Sequence, residues 1–155
     1  MRKKAYIIII AVILIIAIAI FILKNTNKEI TIDIDKLSEN IIKNVDFEDE
    51  MNITDAETVK KLYNIDNAIS EKVYLSSGAT AEEVAIFEFA SRENAKEAVE
   101  KVNERIENQK SSYSGYAPKE VKRLEDAVLI QKDKYIVFCV TEDKNAQKLI
   151  SKYME

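Results

Sequence analysis

Ala5 to Leu23 is an unbroken apolar stretch of 19 residues, mostly isoleucine, and it limits the fold more than any other feature of the chain. A helix on the surface of a soluble domain is apolar along one stripe only, whereas this one would be apolar all round and would need a bilayer or another protein to bury it. At ~1.5 Å per residue it reaches about 28 Å, close to the hydrocarbon thickness of a membrane. Arg2-Lys3-Lys4 precedes it, and the segment Lys24–Lys28 that follows is mixed and soon turns acidic. The positive-inside rule therefore predicts a cytoplasmic N-terminus and an extracytoplasmic remainder. A cleaved signal peptide is the rival reading, because Ala17-Ile18-Ala19 has the small-x-small pattern, but Ile20-Phe21-Ile22-Leu23 carries the apolar run past that point. No cysteine stands near the end of the run to take a lipid. The expected organisation is a cytoplasmic basic tip at 1–4, a single-pass transmembrane helix at 5–23, a tether and lead-in at 24–34, and an extracytoplasmic α+β domain at 35–155.

Composition narrows what that domain can do. Beyond the anchor the chain carries 20 basic and 27 acidic residues, a net charge of −7. An acidic domain without a basic cluster is poorly suited to nucleic acid, whose binding rests on Lys and Arg neutralising phosphates. The chain has no His, and Cys139 is its only Cys. Imidazole or multi-thiolate metal sites, Ser-His-Asp triads, Cys-His dyads and an intramolecular disulfide are thereby excluded. Cys139 lies in the apolar run Tyr135–Val140 and reads as a small buried hydrophobe. No cofactor is expected.

Hydrophobic periodicity supplies the elements. Glu29–Ile34 alternates with a period of two and predicts a short strand or extended lead-in. Leu37, Ile41, Ile42 and Val45 recur at helical spacing, with Asp33 or Asp35 available as cap. Asp46–Asn52 reads as an acidic loop whose Phe47 and Met51 plug the core. Thr54-Asp55-Ala56-Glu57 has the form of a capping box opening a short helix with Val59, Leu62 and Tyr63 inward. Val73–Leu75 and Val84–Phe89 predict strands, with Gly78 between them. Ser91 caps the longest soluble helix, whose stripe is Ala95, Ala98, Val99, Val102 and Ile106, and Glu97 with Lys101 forms an i,i+4 pair on its far side. Lys119–Asp126 predicts a helical turn, and Ala127–Gln131 and Tyr135–Thr141 two strands joined by a tight hairpin at Lys132-Asp133-Lys134. Ala146, Leu149, Ile150 and Tyr153 mark a C-terminal helix. The expected fold class is α+β: two helices, then a β-β-α-β-β-α unit, its four-stranded antiparallel sheet packed on the long helix.

Several short segments carry a resemblance. Tyr63-Asn64-Ile65, Ala81-Glu82-Glu83-Val84-Ala85-Ile86-Phe87, Arg105 with Gln109, Tyr116-Ala117-Pro118, Leu124, Ala127 and Tyr135-Ile136-Val137-Phe138 follow one order and spacing. Over roughly Ile41–Asp143 the chain resembles the bacterial domain of unknown function 4358 family. The resemblance implies a small secreted, membrane-anchored or lipoprotein domain of the envelope, mainly of Gram-positive anaerobes, and implies no activity. The chain departs from the family pattern in using an apolar helix where many members use a lipidated Cys. It also has Asn64 where Gly after Tyr is common, and Asp133-Lys134 where Gly often makes the hairpin turn.

Three groupings are candidates for chemistry. The acids Asp46, Glu48, Asp49 and Glu50 invite a Ca²⁺ reading, but they are nearly contiguous and lack the central Gly of an EF-hand loop, so a solvated loop is favoured. Glu83 at a strand start and Arg105 on the flank of the long helix are expected to meet, either as a binding pair or, by preference, as a lock between helix and sheet. Tyr113, Tyr116 and Pro118 beside Gly115 form an aromatic loop suited to glycans or peptides, or else a plug for the turn, with Tyr63 expected near it. The function expected is a non-enzymatic binding module with an unknown protein or envelope partner. The alternative is a hydrolase of envelope carbohydrate using two carboxylates roughly 5 to 9.5 Å apart.

Overall fold

The computed structural model describes residues 12–19 and 30–155. Residues 12–19 are α-helical, with Val12, Ile13, Leu14, Ile15, Ile16 and Ile18 all exposed. The remainder of the expected transmembrane helix at 5–23, the basic tip at 1–4 and the tether up to residue 29 lie outside the described residues. No helix among the described residues is long and apolar enough to cross a membrane.

Thr31–Glu155 forms one compact unit. Its elements in chain order are α1 (Ile34–Asn44), β1 (Asn52–Ile53), α2 (Ala56–Tyr63), β2 (Ala68–Leu75), β3 (Glu83–Phe89), α3 (Arg92–Tyr113), α4 (Pro118–Glu125), β4 (Val128–Lys132), β5 (Tyr135–Val140) and α5 (Ala146–Tyr153). The strands make a single antiparallel sheet in the order β1-β2-β3-β5-β4. The sheet therefore has five strands where the sequence predicted four. The additional one, β1, pairs Asn52 and Ile53 with Leu75 and Tyr74. Two residues are too few to show any periodicity, which is why the segment read as loop.

Alternation along the central strands explains the layers. Ala85, Phe87 and Phe89 of β3 and Ile136, Phe138 and Val140 of β5 share one core cluster with Ala95, Ala98, Val102 and Ile106 of α3. Val84, Ile86, Val137 and Cys139 take the opposite face and are just as deeply buried. There α1 packs on β2 and β3, α5 packs on β4, and the two helices meet each other. Both faces are thus covered, not one, which agrees with the near-continuous apolar runs in β3 and β5. Val99, expected in the core stripe, is only partly buried against its edge.

Several local expectations are corrected. Residues 30–33 form no strand, and Asp33 instead caps α1 by accepting the Lys36 N–H at 3.1 Å. The lead-in is held by a side chain: the Ile32 N–H donates to the Tyr135 hydroxyl at 3.1 Å. The cap of α2 is Asp55, accepting from the Thr58 N–H, not Thr54. An Asp one residue nearer the helix makes the stronger, charge-assisted cap. Lys101 pairs with Glu104 and not with Glu97. Phe47 and Met51 are half-buried and do not belong to the core cluster. Ser91 caps α3 as expected, accepting from the Asn94 N–H.

The two turns in which the resemblance leads glycine to be expected share one backbone feature. Asn64 at the C-cap of α2 and Asp133 in the β4–β5 turn both adopt φ of 51°, the left-handed region that glycine enters without cost. Asn and Asp tolerate that region better than other side chains do, so the chain keeps both turns without glycine.

Candidate functional site

Glu82 and Glu83 end the β2–β3 connection side by side, and strand alternation sends their side chains to different surroundings. Each is itself buried and anchors a separate network.

Glu83 is fully buried beneath α3. Its Oε1 accepts the Tyr63 hydroxyl at 2.6 Å, while its Oε2 accepts Arg105 Nη2 at 3.0 Å and Gln109 Nε2 at 2.8 Å. Arg105 and Gln109 lie one helical turn apart on α3, so both reach the same oxygen. Tyr63 stands at the end of α2, its ring edge-on to Phe87. Burial, then the Glu83 charge, pushes the Tyr63 hydroxyl well above its ordinary value, so it remains a donor. The expected Glu83–Arg105 pair is therefore present, but it is one part of a four-residue knot joining α2, β3 and α3. A carboxylate already holding three donors and shielded from solvent is poorly placed to meet a substrate. Its role is to orient elements.

Glu82 is buried as well and gathers the acidic loop. Its Oε1 accepts the Glu48 N–H at 2.9 Å, and its Oε2 accepts the Asp49 N–H at 3.0 Å and the Thr80 hydroxyl at 3.2 Å. Arg123 of α4, with a side chain only 1% exposed, forks between Glu120 Oε2 at 2.8 Å and Glu48 Oε2 at 2.6 Å. Glu142 Oε1 follows at 3.4 Å and Glu82 Oε1 at 3.9 Å. Glu120 also accepts the Ala81 N–H at 2.7 Å, and Lys119 reaches Glu48 at 2.8 Å and Glu142 at 3.5 Å. The loop that read as solvated is therefore tied down at both ends of Glu48 and again at Asp49, whose carboxylate takes both the N–H and the hydroxyl of Ser77.

Over this second network opens a cleft of about 640 Å³ lined by Asp46, Glu48, Glu82, Arg123, Glu142 and Asp143 together with Phe47 and Lys144. Lys119 and Arg123 hold Glu48 below the usual carboxylate range. Hydrogen bonds from the backbone N–H groups of Asn145 and Asp46 do the same for Asp143. Among the described residues, no group of acids has the arrangement of a metal site.

The aromatic loop divides into two roles. Tyr113 is buried and donates its hydroxyl to the Thr80 carbonyl at 2.8 Å, bracing the β2–β3 connection. It is the plug. Tyr116 is 73% exposed, with its ring 5.7 Å from that of Tyr113, and its backbone is fixed by an N–H to Tyr113 O bond of 3.1 Å. Pro118, also exposed, starts α4 at a position where a missing N–H costs nothing. The Tyr63 hydroxyl is engaged by Glu83, and Tyr63 and Tyr113 belong to the same core cluster. Cys139 is buried, and burial first, then Asp143 and Glu82, pushes its thiol up to about 12, which makes it unreactive.

Sequence reasoning reached Glu83, Arg105, Tyr113, Tyr116 and Pro118 but missed Glu82, Glu120 and Arg123. The one available signal was the i,i+3 spacing of Glu120 and Arg123 on a short amphipathic helix, a pattern too common on exposed faces to stand out.

No curated protein and no solved structure matches the chain. A family profile does match, over residues 43–141, a span that contains all four residues of the Glu83 knot and, of the Glu82 network, every residue except Glu142. The chain belongs to the family described as domain of unknown function (DUF4358).

Proposed function

We propose that this chain is a membrane-tethered, non-enzymatic binding module of the cell envelope, held by its N-terminal apolar helix with the domain on the extracytoplasmic side. The supporting observation is the division of labour in the α3–α4 loop. Tyr113 is spent on the fold, whereas Tyr116 presents a large aromatic surface on a backbone already fixed by hydrogen bonds. A rigid exposed tyrosine offers contact area at little conformational cost, which is what an anchor residue for a protein or glycan partner requires.

The carbohydrate-hydrolase alternative is the less favoured reading. A general acid at neutral pH needs a raised pKa, and Glu48 and Asp143 at the cleft are both shifted the other way.

A photoreactive phenylalanine analogue at Tyr116 in the full chain, expressed in its native membranes, should give a discrete covalent adduct. The same analogue at exposed Lys96 should not. Equal labelling from both positions would remove the binding reading. Orientation is tested separately: an impermeant amine label applied to intact cells without an outer barrier should modify the domain's lysines. Protection of the whole domain would overturn the tethering argument, as would unchanged topology when Arg2, Lys3 and Lys4 become acidic.

A further inference from the structure

Residues 46–51 leave the end of α1 and return to the sheet at β1, and both ends of the segment are fixed. The Val45 N–H closes α1 on the Ile41 carbonyl at 2.9 Å, and Asn52 and Ile53 pair with β2. Between those ends the segment makes no backbone-to-backbone hydrogen bond among the described residues. Phe47 and Met51 are only half-buried and stand outside the core cluster. Side chains therefore hold the segment, and nearly all of them are carboxylates.

Glu82 accepts the N–H groups of Glu48 and Asp49, and Asp143 accepts that of Asp46 at 3.2 Å. Glu48 reaches Lys119 and Arg123 of α4, and Asp49 reaches Ser77 in the β2–β3 connection. The neutral exception is the Thr141 hydroxyl, which donates to the Asp46 carbonyl at 2.7 Å. The body of the domain does not depend on these bonds. Without Glu48, Arg123 still has Glu120 at 2.8 Å and Glu142 at 3.4 Å, and Lys119 still has Glu142 at 3.5 Å. Without the two amides, Glu82 still accepts the Thr80 hydroxyl, and Asp143 without Asp46 still accepts the Asn145 N–H. Lifting the segment thus strands no charge beneath it. With the segment in place, Arg123 Nε is buried without a hydrogen-bond partner.

We propose that residues 46–51 form a lid, hinged at Val45 and Asn52, that opens as a unit over the cleft of about 640 Å³ while the remainder of the domain stays folded. Opening lifts Phe47 and Glu48 away and uncovers the buried Glu82 and Arg123 that line the same cleft. Local opening begins where backbone bonds and buried apolar contacts are few, which describes this segment. Acid drives it. Lys119, then Arg123, hold Glu48 below its ordinary range, and the Ser77 hydroxyl, then the Glu50 N–H, do the same for Asp49. Asp143 is held down by the Asn145 N–H and then by that of Asp46. Asp46, Glu50 and Lys144, the remaining charged groups of the segment and the cleft rim, are exposed. The closed lid therefore binds fewer protons than the open one. Its stability is complete above the ordinary carboxylate values and is lost as pH falls through the lowered ones. Tyr116 takes no part in the lid, so this proposal and the binding role stand or fall separately.

Hydrogen exchange of the full chain in lipid nanodiscs, read by mass spectrometry and corrected for intrinsic pH dependence, follows the lid directly. The N–H groups of Asp46, Glu48, Asp49 and Glu50 are bonded in the closed form, and the Ser77 N–H, bonded to Asp49, reports opening from the other side. At neutral pH these amides should exchange at least about ten-fold faster than those of β3 and β5. As pH falls below about 4 they should lose protection together while β3 and β5 keep theirs. Glu48→Gln removes two ion pairs from a side chain that is 55% exposed, so the circular dichroism melt of the domain should stay close to that of the parent. Lid and Ser77 amides should then exchange roughly five-fold faster at neutral pH. Lid amides protected as strongly as those of β3 and β5 would overturn the proposal, because the segment would then open only with the whole domain. So would faster exchange at Glu48 and Asp49 without Ser77, which is fraying and not a lid. An unchanged rate in Glu48→Gln refutes the carboxylate latch. Should Glu48→Gln lower the melt of the whole domain, Asp49→Asn supplies the second variant: faster lid exchange at a parent-like melt supports the lid, and parent-like exchange refutes it.

Discussion

Replacing Glu83 by glutamine keeps the shape of the side chain and removes its charge and one acceptor. The glutamine carbonyl is best placed at the Oε2 position, where it still serves Arg105 and Gln109, because the opposite orientation sets an NH₂ group against two donors. Its amide nitrogen then faces the Tyr63 hydroxyl, which can turn and accept but loses an acceptor for its own proton. Two bonds fall from charge-assisted to neutral strength, one donor is left unsatisfied, and Arg105 loses its counter-charge. Arg105 is 16% exposed at the side chain, so water recovers part of that last term. Together these effects amount to about 2 to 4 kcal/mol, smaller than complete deletion of a buried pair because some acceptor capacity remains. Urea unfolding of the full chain in mild detergent, followed by circular dichroism, measures this directly. For a domain of this length the loss corresponds to a fall in Tm of roughly 3 to 5 °C per kcal/mol. Arg105→Gln should cost a comparable amount, and the double variant should lose less than the two singles combined by at least about 1 kcal/mol, since the second change removes a group the first left unpaired. A Glu83→Gln variant within about 0.5 kcal/mol of the parent, or strict additivity in the cycle, would refute the reading of this knot as a lock.

Three further outcomes follow from the same structure. Val102→Asp places an unpaired carboxylate at a fully buried position between α3 and the sheet, at a cost of several kcal/mol, and should abolish cooperative unfolding; a melt like the parent's would mean that the stripe faces the wrong way. Asn64→Gly should stabilise by up to about 1 kcal/mol and Asn64→Ala destabilise by a similar amount, because φ there is 51°; equal melts would show that the turn is not held in that conformation. Asp49, Glu48 and Asp143 are all held below their ordinary values of 3.8, 4.5 and 3.8, so their contribution is complete above those values and is lost as pH falls through the lower folded-state values; denaturant midpoints should be level near neutrality and drop below about pH 4, and a midpoint that rises on acidification would contradict the assignment.

How far the sequence reached can be judged from particular residues. Ser91 and the stripe through Ala95, Val102 and Ile106 specified α3 because a capped helix of 22 residues repeats its pattern six times over. β3 and β5 were legible because consecutive β-branched and aromatic residues fit a pleated interior. The Glu83–Arg105 contact was legible for a different reason: a charged residue opening an apolar strand, and another on the flank of an apolar stripe, each need a partner. What the sequence could not determine depends on neighbours distant along the chain. The two-residue β1 exists only because β2 offers it an edge. The caps of α1 and α2 were decided among adjacent Asp and Thr candidates by the path of the incoming chain. Arg123 looks like any exposed helical charge until Glu48, 75 positions away, closes over it. The doubly covered sheet follows the same logic, since α1 and α5 carry ordinary amphipathic patterns that name a buried face without naming what buries it. Periodicity reports local preference and burial, whereas the choice of partner is made by packing the whole domain at once, and only the tertiary structure records that choice.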